Sequence, residues 1–204
     1  MTQGQLTFDP KTHEYHRGLV KVPGVSDIMD AAGLISEFCK DDVAAEFGRI
    51  FHTTMSLRIQ NRLGCVDQKF INGGWLVAIE AFVRDQTPAP YVCPEKGVER
   101  ILFSKRYGYA GTLDFIGSIK KFRNKLCLPD WKTIATVSKS ALKNCDMQTA
   151  AYEALFREYE EHRGTIRRAM VHFKPGEYRI YELNSPAAWP AFQSCLNLKR
   201  WKDS

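Results

Sequence analysis

A chain of 204 residues, 44% hydrophobic and 25% charged, has enough apolar material to bury one sizeable core and fits neither a disordered nor a fibrous composition. No apolar run approaches the ~20 residues that span a bilayer, and the opening MTQGQLTFDPKTHEY has neither a signal-peptide core nor an Arg-rich transit pattern. A cytoplasmic protein with no membrane partner is expected, and the net charge of +6 favours a polyanionic partner without deciding for one.

In chain order, residues 5–22 alternate weakly between turn formers (Asp9-Pro10, Arg17-Gly18) and read as a short hairpin ending at VPGVS. Ser26 reads as the N-cap of a short helix and Gly33 as its end. Val43, Phe47, Ile50, Phe51 and Leu57 recur at three and four, predicting a helix over 41–63 closed by Gly64. A third helix is expected over 74–85, after which Pro88, Pro90 and Pro94 should forbid regular structure until residue 98. There the period changes to two. VERILFS (98–104), YAGTLDFIGSI (109–119) and KLCLPDWKT (125–133) predict three successive antiparallel strands, with turns at Gly108 and 120–124. A long helix should follow over about 141–162, burying Met147, Ala151, Leu155 and Tyr159 as one stripe and ending at Gly164. Residues 165–183 predict a hairpin turning at KPGE, and a last helix should start with Ser185 as its N-cap and Pro186 at its first position. The sum is a mixed α/β chain.

With no repeat, low-complexity segment or Gly/Ser linker, a single domain over 1–204 is expected, residues 1–40 forming an N-terminal hairpin-and-helix appendage to a core over 41–204. Six scattered cysteines, without a C-x-x-C pair or a Cys/His cluster at zinc spacing, read as free thiols in a reducing compartment.

Two carboxylates stand where charge is costly. Asp130 and Lys132, two apart in LCLPDWKTI, should point to one side of a buried strand, as a plain ion pair or as part of a site. Asp114 sits in the apolar run GYAGTLDFIG with no basic residue within five positions. If the two strands neighbour each other, the carboxylates repel unless a divalent cation lies between them, and hard oxygen ligands select Mg²⁺ or Mn²⁺. Glu99 either joins them or pairs at the surface with Arg100 or Lys105.

These residues carry a resemblance. Gly48 and His52 on a helix, Glu99 on the first strand, Gly111 and Asp114, then Asp130 and Lys132, then Gln148 and Tyr152 stand in the order seen in the PD-(D/E)xK nuclease superfamily. The chain most resembles its RecB-like exonuclease branch, which includes phage exonucleases and CRISPR-associated nucleases. The match covers roughly residues 48–152, about half the chain, and VPGVSDIMDAAG is also similar to the opening of phage members. Each motif alone is weak; the order of five is specific.

The resemblance implies a restriction-endonuclease-like core, a mixed central sheet with an antiparallel meander flanked by helices. It also implies a Mg²⁺- or Mn²⁺-dependent deoxyribonuclease, an exonuclease of phage or bacterial DNA recombination, repair or processing. Asp114, Asp130, His52 and the backbone carbonyl of Trp131 would hold the metal. Lys132 would orient and help deprotonate water or stabilise the pentacovalent phosphate, Glu99 would hold a metal-bound water or a second ion, and Gln148 and Tyr152 would contact phosphate or brace Lys132. Four cluster-binding cysteines of the CRISPR-associated members are not matched, only Cys195 lying near the carboxyl end, so no iron–sulfur cluster is expected. DNA, single- or double-stranded, would be contacted by Lys105, Arg106 and Tyr109 in a basic and aromatic loop and by Lys139 and Lys143 at a helix start. A recombinase, a single-strand-binding protein, a separate helicase or further copies of the chain are partners the resemblance allows. The alternative is a catalytically silent nuclease-fold module that only binds DNA, or a subunit of a larger recombination complex.

Overall fold

The computed structural model describes residues 5–9, 12, 14–34, 42–62 and 73–204. The amino-terminal segment forms three strands rather than one hairpin: β1 (Leu6–Asp9), β2 (Glu14–Arg17) and β3 (Val20–Val22) make an antiparallel sheet in that order. The second turn falls at Gly18, whose φ of +62° needs no Cβ to be avoided. Helix α1 (Val25–Ala31) follows; its N-cap is Gly24, not Ser26, and the Asp27 carboxylate accepts the Gly24 N–H at 3.0 Å. It buries Val25, Ile28 and Met29 in the same cluster as the long helix of the carboxyl-terminal half.

Helix α2 (Asp42–Ile59) ends through Asn61, in the left-handed region at φ +56°, with Arg62 N–H returning to the Leu57 carbonyl at 2.7 Å. The expected stop at Gly64 lies outside the described residues. Helix α3 (Trp75–Gln86) occupies the third predicted position. The proline stretch is more ordered than expected: β4 (Ala89–Pro90) is an edge strand and α4 (Pro94–Gly97) is a single turn with Pro94 at its start, the two places where a missing N–H does no harm.

Strands β5 (Val98–Ser104) and β6 (Tyr109–Phe115) pair antiparallel as a two-stranded sheet. The predicted second strand then breaks. Ile116 turns its N–H to Gly97 and its carbonyl to Tyr91, and β7 (Gly117–Ser118) resumes in a different sheet. That sheet has five strands in the order β10-β9-β8-β7-β4, where β8 is Leu126–Lys132, β9 Arg167–Lys174 and β10 Glu177–Leu183. Strand β8 pairs antiparallel with β7 but parallel with β9, the crossover between them being α5 (Lys139–Glu160). A continuous meander is therefore replaced by a mixed sheet flanked by helices.

Ser138 caps α5, accepting the Ala141 N–H at 3.0 Å, and Glu161 at φ +51° ends it before Gly164 is reached. Met147, Ala151 and Leu155 are buried as the spacing predicts, but Tyr159 is 63% exposed, with the Arg100 guanidinium over its ring. The β9–β10 hairpin turns at Pro175-Gly176 as expected. Helix α6 (Ala188–Asp203) begins two residues later than predicted, and Ser185 instead braces the turn before it by accepting the Ala187 N–H.

The sheet separates two apolar clusters. On one side α1, α5 and α6 pack with Leu128, Leu113 and Tyr109; on the other α2 and α3 pack with Trp131, Phe115, Val171 and Phe173. Strand β8 is buried along nearly its whole length, which is why its sequence is apolar on both faces and why its charges stand out. Among the described residues no helix is long and apolar enough to cross a membrane. Cys93, Cys127, Cys145 and Cys195 are free thiols.

Candidate metal centre and its cleft

Where β6 and β8 come together, the backbone ladder between them is missing and a side chain takes its place. Asp114 Oδ2 accepts the Trp131 N–H at 2.8 Å, so a carboxylate bridges the two strands. Its other oxygen lies 3.1 Å from His52 Nδ1 on α2. In the β5–β6 register Val98 faces Phe115 and Arg100 faces Leu113, which sets Glu99 across from Asp114. Glu99 adopts φ +47°, a left-handed conformation that costs a non-glycine residue of order 1–3 kcal/mol, and its Oε1 is buried with no hydrogen-bond partner among the described residues. Arg100, one of the two surface partners considered for Glu99, pairs instead with Glu160.

One ligand atom each from His52, Glu99 and Asp114 lies within 4.8 Å of the others, one imidazole nitrogen and two carboxylate oxygens around a common point. Like charges facing across strands destabilise unless something neutralises them. Part of the neutralisation is protonation. Burial, then Asp114 and Asp130, push the Glu99 carboxyl up to about 8 against the pull of His52. Burial works against the His52 charge, but Asp114 and Glu99 overcome it and raise the imidazole to about 9. Asp114, despite burial, is held below the usual carboxylate range by His52, Lys132 and the Trp131 N–H. The unpaired oxygen of Glu99 and this nitrogen-and-oxygen donor set fit a divalent cation.

Asp130 and Lys132 do share a face of β8, their side chains pairing at 2.7 Å. Asp130 is 2% exposed, and burial raises its pKa while Lys132 opposes the shift. Its second neighbour is the Cys145 thiol at 3.5 Å, so it stands beside the three-residue group rather than within it. The Trp131 N–H meets Asp114, and its carbonyl leaves the strand on the same edge of β8; the indole lies in the core against Phe82 at 5.3 Å. Lys132 donates to Gln148 Oε1 at 3.1 Å, and Gln148 Nε2 reaches Tyr152 OH at 2.9 Å, a relay built on the four-residue spacing of α5. Burial works against the Lys132 ammonium, but Asp130, Cys145 and Asp114 outweigh it and keep it charged.

Gly111 fits beneath Tyr152: a Cβ there would lie 2.7 Å from the ring. We expect Gly111→Ala to displace Tyr152 and loosen the Lys132 relay, costing about 1–3 kcal/mol as overpacking does. A urea melt measures this, and an unchanged midpoint would show that the ring moves freely.

His52, Glu99, Asp114, Asp130, Lys132, Gln148 and Tyr152 line a cleft of about 580 Å³. Sequence reading missed part of its wall: Arg49, Thr53 and Ser56 recur at three and four along α2, with Gln60 continuing the spacing just past its end, a polar stripe beside His52 that stands opposite the apolar one. It also missed Phe8, Tyr15 and Thr112, for which no local signal exists. The DNA-contact residues expected from sequence are not brought to the cleft. Tyr109 is fully buried with its OH on the Ala151 carbonyl at 2.8 Å, so it is unavailable for stacking. Lys105 and Arg106 are exposed in the β5–β6 turn, before the start of β6 at Tyr109, which is itself five residues and roughly 17 Å along the strand from Asp114, and their N–H groups are tied to Glu158. Lys139 and Lys143 are exposed at the start of α5 and line no part of the cleft.

No family model matches the chain, and no curated protein does. Among solved structures, one titled "Crystal structure of SSO0001" is similar at 19% identity and a TM-score of 0.37, over 74% of this chain and 68% of that one.

Proposed function

We propose that the protein is a metal-dependent deoxyribonuclease that hydrolyses phosphodiester bonds, acting as an exonuclease in recombination, repair or processing of phage or bacterial DNA. The observation that carries this reading is the meeting of His52, Glu99 and Asp114 ligand atoms beside the Asp130–Lys132 pair in an open cleft. It is supported by the ordered resemblance of residues 48–152 to the PD-(D/E)xK superfamily and by the net charge of +6.

His52, Glu99 and Asp114 would hold Mg²⁺ or Mn²⁺, with the Trp131 carbonyl on the edge of β8 that meets Asp114. When bound, the ion supplies polarisation of a phosphoryl oxygen and a lowered pKa for water. Lys132, held charged, serves as a donor to a non-bridging phosphate oxygen as negative charge develops there and is unsuited to the role of base. Gln148 aims the ammonium and Tyr152 fixes Gln148. Asp130 holds Lys132 against β8.

End-labelled single- and double-stranded DNA incubated with Mg²⁺ or Mn²⁺ tests the proposal. The wild type should release nucleotides while Asp114→Asn and Asp130→Asn do not. Absence of cleavage with either ion, the wild type matching its variants, would leave a DNA-binding module as the reading.

A further inference from the structure

The amino-terminal sheet supplies part of the cleft wall. Tyr15 on β2 is 4% exposed, its ring packed by Phe8 at 4.8 Å between centroids and by Gly24, where a Cβ would lie 3.0 Å from the ring. The Tyr15 OH meets Thr112 Oγ1 at 2.8 Å, and the Thr112 hydroxyl has no second partner among the described residues. Burial decides which of the two donates. If Thr112 did, the enclosed phenol would be left as a buried donor without an acceptor, which is costly, so Tyr15 donates and Thr112 accepts. Burial, then Asp27 and Glu99, push the phenol up to about 12 against the pull of Thr112, and it keeps its proton. Thr112 is half-buried and lines the cleft, so its own proton is left for what enters there. Thr112 and Asp114 share a face of β6, two residues and roughly 7 Å apart, close to the step between neighbouring phosphates of a nucleic-acid backbone. The arrangement repeats the one on α5, where Tyr152 holds Gln148 and Gln148 aims Lys132. Of the acids near Tyr15, Asp27 has its Oδ2 on the Gly24 N–H and Glu99 belongs to the three-residue group, so an anion beside Thr112 is favoured once a cation occupies that group.

We propose that Thr112 is a contact residue for the phosphate next to the scissile one, its hydroxyl donating to a non-bridging oxygen, and that Tyr15 is the positioning residue that turns it there. The amino-terminal sheet is then part of the site and not an appendage to it. The assignment rests on the nuclease reading for the register of the substrate, but its test reads binding without turnover. With Ca²⁺ in place of the catalytic ion, affinity is measured for a short labelled DNA and for copies in which one phosphate at a time, counted from the end, is a neutral methylphosphonate. Thr112→Val should weaken binding about tenfold, the size of one hydrogen bond to a charged group, while Thr112→Ser should bind as the wild type does. Tyr15→Phe should cost less than Thr112→Val and add nothing to it in the double variant, because Tyr15 acts through Thr112. One methylphosphonate position should weaken the wild type by as much as Thr112→Val does and leave Thr112→Val unmoved, next to a position to which both proteins respond. A packing defect would instead lower affinity alike at every position. With chelator in place of Ca²⁺, the difference between wild type and Thr112→Val should vanish.

Thr112→Val responding to every methylphosphonate as the wild type does, or Thr112→Ser binding as weakly as Thr112→Val, would overturn the contact. The coupling, found in a protein that cleaves with neither Mg²⁺ nor Mn²⁺, would overturn the nuclease reading and keep the contact; cleavage without the coupling would do the reverse, and a wild type that binds no DNA would overturn both.

Discussion

Lys132→Met should abolish cleavage and destabilise the protein together, and adding Asp130→Asn should return the stability alone. Lys132 Nζ sits 2.7 Å from Asp130 Oδ2, and the Asp130 side chain is only 3% exposed. Removing the ammonium leaves a buried carboxylate without a partner, which in fully buried pairs costs ~3–5 kcal/mol. Because the Lys132 side chain keeps 27% of its exposure, about 2–3 kcal/mol is expected here. The carboxyl can escape by protonating. Asp130 already has a raised pKa in the folded chain, and losing Lys132 raises it further. A folded-state pKa above the unfolded one gives stability that is present at low pH and lost as pH rises, so the destabilisation of Lys132→Met should be small near pH 5 and grow toward pH 8. The double variant has neither charge and should lie within about 1 kcal/mol of the wild type, a coupling that a double-mutant cycle reads directly. Activity should not follow. With no donor aimed by Gln148, the rate should stay at least 100-fold down in both variants, the order lost when one donor to a developing charge is removed. Urea midpoints at pH 5 and pH 8, beside cleavage rates, test the split; a Lys132→Met protein that cleaves within tenfold of the wild type would remove Lys132 from the mechanism.

With chelator present, thermal stability should decline as pH rises, and manganese should reverse the decline. Glu99 is raised to about 8 and His52 to about 9, both above their unfolded values of 4.5 and 6.5. Each contributes stability that is complete below its unfolded pKa and is lost as pH climbs through the folded one, Glu99 between about 4.5 and 8 and His52 between about 6.5 and 9. Above that window three carboxylates crowd one place with less imidazolium to offset them. An ion bound there at about a hundred times its Kd adds about 2.7 kcal/mol. For a chain of 204 residues this is a Tm rise of roughly 5–10 °C. Manganese should raise Tm more at pH 8 than at pH 6, where it competes with protons on Glu99 and His52, and Asp114→Asn should show no response. A wild-type Tm indifferent to millimolar Mn²⁺ at pH 8 would argue that the three side chains form a hydrogen-bonded cluster and no metal centre.

Much of the secondary structure was legible because burial imposes a period. The three-and-four spacing in α2 and α5 and the change to period two at residue 98 each mark a face, and Asp130 and Lys132 were readable as neighbours because alternate residues of a strand share a side. Ends were read less well. Ser26 and Ser185 have the preferred chemistry for an N-cap, yet Asp27 supplies the bond at the start of α1 and Ser185 braces a preceding turn, because a serine close to a helix start can satisfy more than one backbone group. Helix ends at Asn61 and Glu161 rather than at glycines show the same looseness. Tyr159 fits the buried stripe by spacing but is largely exposed, with the Arg100 guanidinium of β5 over its ring, and Tyr109 resembles a surface aromatic in a basic turn until its OH is seen to bond inside the core.

What the amino-acid order determined by itself was the inventory: which carboxylates lie in apolar runs, which residues share a face, and that a lysine stands beside one of the acids. Only the tertiary structure decided the company they keep. Asp114 finds its counter-charge in His52, 62 positions away, Glu99 is turned toward them by a left-handed backbone, and the strands part so that a carboxylate replaces a ladder bond. The reason is physical: local periodicity states which way a side chain points from its own element, whereas the distance between two elements is set by how their apolar faces dock, a sum over the whole core that no short stretch of sequence contains.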